Sequence, residues 1–489
     1  MGKEVNIKID GRDLTVPAEW TVIKAAHENG IEIPHYCYHE DLSIAGNCRI
    51  CMVGVKGAPR PVVACAQPLT EGMEVTTTGE AVEEARKGVM EFLLINHPLD
   101  CPECDQAGEC KLQDYSYDFG RDHGRFHEEK VVKSKATFGP HVKYWGSRCI
   151  VCTRCVRFTN EVSGENELNV IYRGDRSEIA LFPGQVLDNP LSMNVVDICP
   201  VGALVSSDFL FQSRVWHLHS KDSVCGECAV GCNTRIDLDA KEKIKRIVPR
   251  QNDAVNKSWM CDHGRLSFDY VYDKRLHKPK IDGKDAVYKE AVAHAADLLR
   301  LPGSLALVSA WSSQETLAAA KTASEALGLP LHAYAKPSSQ DQVFPGFTIA
   351  GDKNPNRSGL KTALGLDPDE SLASLASKDG ALGTVLLVHG IPGSEASPQL
   401  KQVLARSENV ILLDFGDGDL LRNGNVTVAL PTLTIYEQSG TYANRDGIVQ
   451  KAEAAMEPVT YGRPAAEILR DLNKAAMQGA TSKIAVSQG

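Results

Sequence analysis

Apolar and polar residues alternate in V-N-I-K-I at residues 5–9, Gly11-Arg12 makes a turn, and Leu14 to Val16 continues the alternation, which predicts a β-hairpin. The period then lengthens. Thr21 stands in the N-cap position before V-I-K-A-A-H-E-N-G and Gly30 supplies the stop, so a helix is expected to pack on the hairpin in a small α+β domain ending near Thr78. From Glu80 to His97, the residues Val82, Ala85, Val89, Phe92 and Leu93 recur at helical spacing, and His97-Pro98 closes the segment. That helix delivers His97 to a loop. Residues 98–215 carry Cys, Gly and Pro clusters with little long periodicity, as expected where bound ligands fix the backbone.

Beyond Asp273 the texture becomes Ala- and Leu-rich. Ser304 to Ser309 and Pro330 to Ala335 read as strands and Gln314 to Leu327 as a helix; Gly383 to His389, Pro398 to Ser407 and Asn409 to Phe415 repeat the pattern of an α/β layered domain. Ser338 to Gly359 reads as an extended loop or insertion. Gly390-Ile391-Pro392-Gly393 lacks the features of a dinucleotide loop or a P-loop and reads as a strand-to-helix turn. No internal repeat is visible.

With 489 residues, of which 43% are apolar and 24% charged, the chain has globular composition and length for roughly three or four domains. Its 53 Lys and Arg against 63 Asp and Glu leave a net charge of -10, the wrong sign for binding a nucleic-acid backbone. No run approaches the roughly 18 apolar residues of a spanning helix, and M-G-K-E-V-N-I-K-I-D has no signal-peptide core or twin arginine. A soluble, cytoplasmic protein with no direct membrane span is therefore expected.

Cysteine changes the picture most. There are fifteen, an odd number, all between Cys37 and Cys261, in a chain with no visible export signal, so paired spacings point to metal rather than to disulfides. With one histidine they divide into four sets of four. The first is Cys37, Cys48, Cys51 and Cys65, spaced C-x10-C-x2-C-x13-C. A C-x2-C pair with two flanking thiolates suits a [2Fe-2S] cluster, with a structural zinc site as the alternative, and Gly46 is expected to let the backbone approach the inorganic sulfides. His35 and His39 flank Cys37 and raise a Rieske-like alternative, but four thiolates are already present and both read as ordinary surface histidines.

The second set is His97, Cys101, Cys104 and Cys110, spaced H-x3-C-x2-C-x5-C. The residues alone leave zinc and an iron-sulfur cluster equally open. The third is Cys149, Cys152 and Cys155 with Cys199 arriving 44 residues later in C-P-V-G-A-L. A C-x2-C-x2-C triple with a remote Cys-Pro is similar to bacterial ferredoxins and indicates one [4Fe-4S] cube. The fourth is Cys225, Cys228, Cys232 and Cys261, three local thiolates and a distant one, again suited to [4Fe-4S], with a zinc ribbon as the alternative.

In this order the four sets resemble the large iron-sulfur subunit of NADH-quinone oxidoreductase (respiratory complex I), closely over about residues 1–270. The resemblance implies [2Fe-2S] on Cys37, Cys48, Cys51 and Cys65, and [4Fe-4S] on His97, Cys101, Cys104 and Cys110 in place of the zinc alternative. It further implies [4Fe-4S] on Cys149, Cys152, Cys155 and Cys199, and on Cys225, Cys228, Cys232 and Cys261 the additional off-pathway cluster that some bacterial members keep. C-D-H-G-R-L-S-F-D-Y-V and L-P-T-L-T-I-Y-E-Q-S-G-T-Y-A-N-R-D-G-I-V-Q are similar to the molybdopterin-oxidoreductase fold. Asp262 to Gly489 is short for such a domain and holds no cysteine, so a reduced domain without molybdenum is expected.

The implied architecture is multidomain, α+β and α/β. It has a [2Fe-2S] ferredoxin-like (β-grasp) domain at 1–78, a histidine-ligated [4Fe-4S] domain at 79–118 and an all-cysteine [4Fe-4S] domain at 119–215. A molybdopterin-oxidoreductase-type [4Fe-4S] domain follows at 216–272, then a shortened molybdopterin-oxidoreductase-like α/β domain at 273–489. The implied role is to relay single electrons from a flavin- and NADH-binding subunit toward quinone-reducing iron-sulfur subunits, in a peripheral arm on the cytoplasmic face of the bacterial inner membrane. All sixteen residues would hold iron and none would be catalytic; alone, the chain should not oxidise NADH. The alternative is the electron-transfer subunit of a soluble NAD-linked hydrogenase or formate dehydrogenase. Iron-only hydrogenases are disfavoured because no T-S-C-C-P segment follows.

Overall fold

The computed structural model describes residues 3–393, 396–423 and 425–486. By internal contacts the chain forms two compact units, residues 1–218 with 344–347, and residues 219–343 with 348–489.

The first unit begins with β1 (Glu4–Ile9) and β2 (Arg12–Pro17), paired antiparallel, followed by α1 (Val22–Glu28). Alternation buries Val5, Ile7 and Ile9 on one face of β1, and α1 covers that face with Val22, Ile23 and Ala26. Thr21 has the extended backbone of an N-cap, but its hydroxyl makes no capping bond. With β3 (Met52–Val55), β4 (Val62–Val63) and β5 (Glu74–Thr76) the sheet runs β2-β1-β5-β3-β4, with β5 parallel to β1. Cys51 and Cys65 belong to its apolar core, so the first set is anchored where packing is densest.

Next come α2 (Glu80–Leu94) and α3 (Lys111–Phe119), then β6 (Lys135–Thr137), β7 (Val142–Trp145), α4 (Arg154–Glu161), β8 (Leu168–Ile171), β9 (Glu178–Leu181), α5 (Asn194–Asp197) and β10 (Leu204–Ser206). The elements are short, with β10, β7 and β6 in one sheet and β8 with β9 in another.

The second unit opens with the antiparallel sheet β11 (His219–Val224), β12 (Asn233–Leu238) and β13 (Ile244–Pro249), followed by α6 (Asp262–Leu266). Then come β14 (Lys280–Ile281), β15 (Lys284–Asp285), α7 (Tyr288–Leu299), β16 (Leu305–Ser309), α8 (Gln314–Leu327) and β17 (Leu331–Tyr334). The stretch expected as a loop instead holds a short hairpin, β18 (Gln342–Val343) with β19 (Thr348–Ile349), and ends inside α9 (Arg357–Leu364). Its two-residue strands are too brief to leave a period in the sequence. The chain continues through α10 (Pro368–Ser377), β20 (Leu382–Val388), α11 (Pro398–Ala405), β21 (Ser407–Asp414), α12 (Asp419–Asn423), β22 (Val426–Pro431), β23 (Gly440–Ala443), β24 (Val449–Ala452) and α13 (Ala465–Val486).

Seven strands form one sheet in the order β15-β14-β22-β21-β20-β16-β17, parallel from β22 to β17. Both faces are covered: Leu386 and Val388 pack with Leu317 of α8 and Leu469 of α13, whereas Val385 and Leu387 pack with Leu375 of α10 and Leu400 of α11. A parallel sheet requires this, and it explains why these strands read as continuous apolar runs. Each fully buried Leu or Val contributes roughly 1.5–3 kcal/mol by area. Among the described residues, no helix is long and apolar enough to cross a membrane.

Candidate metal centres

All fifteen cysteines are free thiols. In the first set they touch. The Cys37 N–H donates to Cys48 Sγ at 3.4 Å. Hydrogen bonds from the thiols of Cys48 and Cys65 drive the Cys37 pKa down to about 2, and one from Cys65 lowers Cys51, while the donors Cys48 and Cys65 are raised. The loop before Cys48 turns at Gly46, φ +62, and Arg49 also takes a left-handed φ of 62°. That left-handed turn is by itself a conformation that favours glycine at position 46.

His35 and His39, expected at the surface, are half-buried, and burial lowers each to about pKa 3. Lys111 and Arg154 act in the same direction on both. The His35 ring Nδ1 bonds the Ile33 carbonyl at 3.0 Å, and the His35 backbone N–H donates to the Tyr115 hydroxyl at 3.4 Å. The two imidazoles are thus neutral packing groups.

In the second set Cys101, Cys104 and Cys110 are electrostatic neighbours, Cys101 exposed and the other two buried. Cys110 is the N-cap of α3, where the backbone N–H groups of Gln113 and Leu112 oppose the rise in pKa, to about 11, that burial imposes. His97 stands at the end of the helical segment as expected. Its ring makes no hydrogen bond to the three thiols; burial, with help from Arg148 and Lys130, lowers it to about 4, so it is neutral at pH 7. Neutral imidazole is the form that donates to a metal.

The third set lines one small cavity, bounded by Cys149, Cys152, Cys155, Cys199, Tyr144 and Arg154. Val151 and Thr153 between the three close cysteines have φ of 51° and 63°. A β-branched residue in this region is strained, and here it curls the loop tightly around the cavity. The Val151 N–H donates to Cys149 Sγ at 3.3 Å. Burial raises Cys149, Cys152 and Cys199 to about 11 and Cys155 further, because each thiol also opposes the ionisation of its neighbours.

In the second unit, Cys225 and Cys228 follow β11 and Cys232 precedes β12, so one hairpin presents three thiols. Cys261 arrives as the N-cap of α6 and accepts the Gly264 N–H at 3.3 Å. Gly264 fits against the set: a Cβ there would lie 3.0 Å from Cys225 Sγ and 3.5 Å from Cys261 Sγ. All four are buried and raised by burial, with Lys353 opposing the rise at Cys228 and Cys261.

Several neighbours have no signature in the sequence. Gly202, in C-P-V-G-A-L, presses on the second set: a Cβ there would sit 2.2 Å from Cys104 Sγ. Arg148, Arg154 and Arg157 bind loops carrying different sets, and closeness in sequence to cysteines is the only signal that could have marked them. Among the described residues no group of three or more His, Cys, Asp and Glu stands where a single metal ion could be held. No thiol is paired in a disulfide, and apart from the exposed Cys101 and the lowered Cys37 and Cys51 the thiols are costly to ionise without a nearby cation. This donor chemistry fits a cationic polynuclear iron-sulfide group.

Comparison with known proteins finds five family matches along the chain. Residues 2–80 match the 2Fe-2S iron-sulfur cluster binding domain, 86–125 the NADH-ubiquinone oxidoreductase-G iron-sulfur binding region, and 139–205 the ferredoxin-like domain of NADH-quinone oxidoreductase subunit 3. Residues 218–269 match the NADH-ubiquinone oxidoreductase NDSU1/NuoG-like 4Fe-4S domain, and 287–475 the molybdopterin oxidoreductase family. Each set falls inside one of the first four matches. The G-subunit of NADH-quinone oxidoreductase from Rickettsia felis is 43% identical over 326 residues, covering 64% of this chain and 48% of that protein. The mitochondrial NADH-ubiquinone oxidoreductase 78 kDa subunit of Neurospora crassa is 40% identical over 394 residues, covering 77% of this chain and 53% of that protein. The chain thus spans about half the length of these curated relatives. A chain of a NAD+-reducing [NiFe]-hydrogenase in its H2-reduced state is 28% identical with a TM-score of 0.40, covering 43% of this chain and 91% of that one.

Proposed function

We propose that this chain, which belongs to the family of the large iron-sulfur subunit of NADH-quinone oxidoreductase, holds one [2Fe-2S] and three [4Fe-4S] clusters through which single electrons pass from a flavin-bearing partner toward quinone-reducing partners. The ligands would be Cys37, Cys48, Cys51 and Cys65 for the first; His97, Cys101, Cys104 and Cys110 for the second; Cys149, Cys152, Cys155 and Cys199 for the third; and Cys225, Cys228, Cys232 and Cys261 for the fourth. The chain's own part is to position donors and exclude water. One observation carries the reading: all four thiols of the third set line one cavity, three of them on a loop bent through left-handed backbone at Val151 and Thr153 and the fourth, Cys199, from a separate segment. The extent of the five domains, the place on the cytoplasmic side of a membrane and the identity of the partners belong to the same proposal.

The test is anaerobic purification of the native assembly and of the full chain alone. Iron and acid-labile sulfide in the ratio of one binuclear and three tetranuclear clusters, paramagnetic signals after dithionite, and co-purifying quinone-reductase subunits are expected. Stoichiometric zinc with no such signals would overturn the cluster reading. Co-purification with hydrogenase or formate dehydrogenase subunits would overturn the respiratory one.

A further inference from the structure

Between the first and third sets, within the first unit, lies a buried cation. Arg154 is 6% exposed. Its Nη1 donates to the carbonyl of Ile198, the residue before Cys199, at 3.1 Å, and its Nη2 donates to the carbonyl of Tyr38, the residue after Cys37. Its Nε has no hydrogen-bond partner, and none of the charges that act most strongly on it is a carboxylate. The opposite charges it faces would be the thiolates of Cys152, Cys199 and Cys37. One turn further along α4, Arg157 Nη2 donates to the carbonyl of Cys37 at 2.5 Å and to that of Cys152 at 3.4 Å, and its Nη1 to the carbonyl of Ser43. The Asn47 amide reaches the carbonyl of Val151 at 3.0 Å and completes the join. Asn47 and Val151 each lie within a cysteine loop.

A buried guanidinium is costly unless a counter-charge lies close by. Carbonyl dipoles satisfy its donors but leave its charge uncompensated. A thiolate-ligated iron-sulfide centre is net negative and gains one more negative charge on reduction, so one on each side would supply that counter-charge. The interaction is strengthened by burial, and it favours the reduced state of either neighbour.

We propose that Arg154, supported by Arg157, is a shared positioning residue of the first and third sets: it clamps their loops together and sets the reduction potentials of both centres at once. The proposal rests on the reading that these two sets hold clusters.

The test uses the full chain with Arg154→Gln, Arg154→Lys and Arg157→Gln, and reads iron and sulfide content together with redox titrations of the two signals, separated by their relaxation temperatures. Dithionite supplies one electron to each centre. In R154Q both centres are expected to favour reduction about tenfold less, a shift of about 59 mV to lower potential for one electron. R154K, which keeps the charge and loses the fork, should recover most of that shift, and R157Q should move both potentials in the same direction. If R154Q fails to fold, the R157Q titration decides. A wild-type chain without iron and sulfide would defeat the cluster reading and this proposal with it. A loaded wild type whose folded variants hold full iron, with either potential unmoved, would overturn this proposal alone.

Discussion

Arg148 and Asp100, each one residue before a cysteine of a different set, are joined by a charge-assisted hydrogen bond of 2.8 Å from Nε to Oδ2. Arg148 is 1% exposed, and its guanidinium stacks 3.9 Å from the centroid of Trp145. The pair ties the loop of Cys101 to that of Cys149 across 48 positions of sequence. Breaking a buried pair leaves a charge uncompensated, and because Asp100 keeps some solvent contact the cost is expected near the low end, about 3 kcal/mol for Arg148→Ala. Urea titration of the full chain measures it. Arg148→Lys should recover only part, since lysine keeps the charge and loses both fork and stack. An R148A midpoint equal to wild type would show that the pair does not hold these loops.

Gly202 is the sharpest steric point of the second set. A Cβ placed 2.2 Å from Cys104 Sγ and 3.1 Å from the Gln106 Cβ cannot be accommodated without moving the thiol. Gly202→Ala is expected to cost the chain the iron of one tetranuclear centre while the signals of the other sets persist. Gly124→Ala, where a Cβ meets nothing within 4 Å, is the control. Full iron in G202A would refute the crowding.

Arg275 and Glu437 form a fully buried ion pair in the second unit, Nη2 to Oε2 at 2.8 Å and Nη1 to Oε1 at 3.1 Å, with both side chains 0% exposed. Glu437 also accepts the N–H and hydroxyl of Thr434 at 2.8 and 2.9 Å and the N–H of Val459 at 2.9 Å. The T-I-Y-E-Q segment therefore folds around one carboxylate. A Gln amide presents a donor to at least one of these donors, and Glu437→Gln is expected to destabilise this unit by about 3–5 kcal/mol. Chemical denaturation followed by near-UV circular dichroism measures it, and a loss below about 1 kcal/mol would be too small for a buried charge left unpaired.

Two buried groups at the ends of β20 and β21 pull stability in opposite directions with pH. Burial raises the Asp414 carboxyl to about 7 against N–H donors that include Phe415 and against the charge of Arg275. Burial and the nearby Lys336 lower His389 to about 3, and its Nδ1 meets the Tyr334 hydroxyl at 2.6 Å. The Asp414 contribution is present below the ordinary carboxylate pKa and is lost as pH rises to about 7; the His389 contribution is present above about 6.5 and is lost as pH falls toward 3. Between about pH 4 and 6.5 the two slopes oppose. Asp414→Asn removes one, so its stability should rise with pH across that window more steeply than in the wild type. Parallel wild-type and D414N profiles would exclude the raised carboxyl.

Local rules were enough for the hairpin of residues 4–17 and the strand-helix alternation after Ser304, because each turns an apolar pattern into buried faces; the helix from Glu80 forms where its period predicts but buries Val82, Arg86 and Met90 and leaves Phe92 77% exposed. Ser338 to Gly359 misled because its hairpin strands are only two residues long and leave no period in the sequence. His35 and His39 misled because exposure belongs to the folded surface, and Tyr115, 80 positions from His35, covers it.

By itself the sequence determined which donors exist and which of them share a loop, since short Cys spacings constrain thiols to one loop whatever the rest of the chain does. Only the tertiary structure decided which loops share a cation. Arg154 lies 116 residues from Tyr38 and 44 from Ile198, and Arg148 lies 48 from Asp100. Bonds of that reach leave no period or spacing in the sequence; they exist only once packing has closed the intervening chain and removed the water that would otherwise screen the charge.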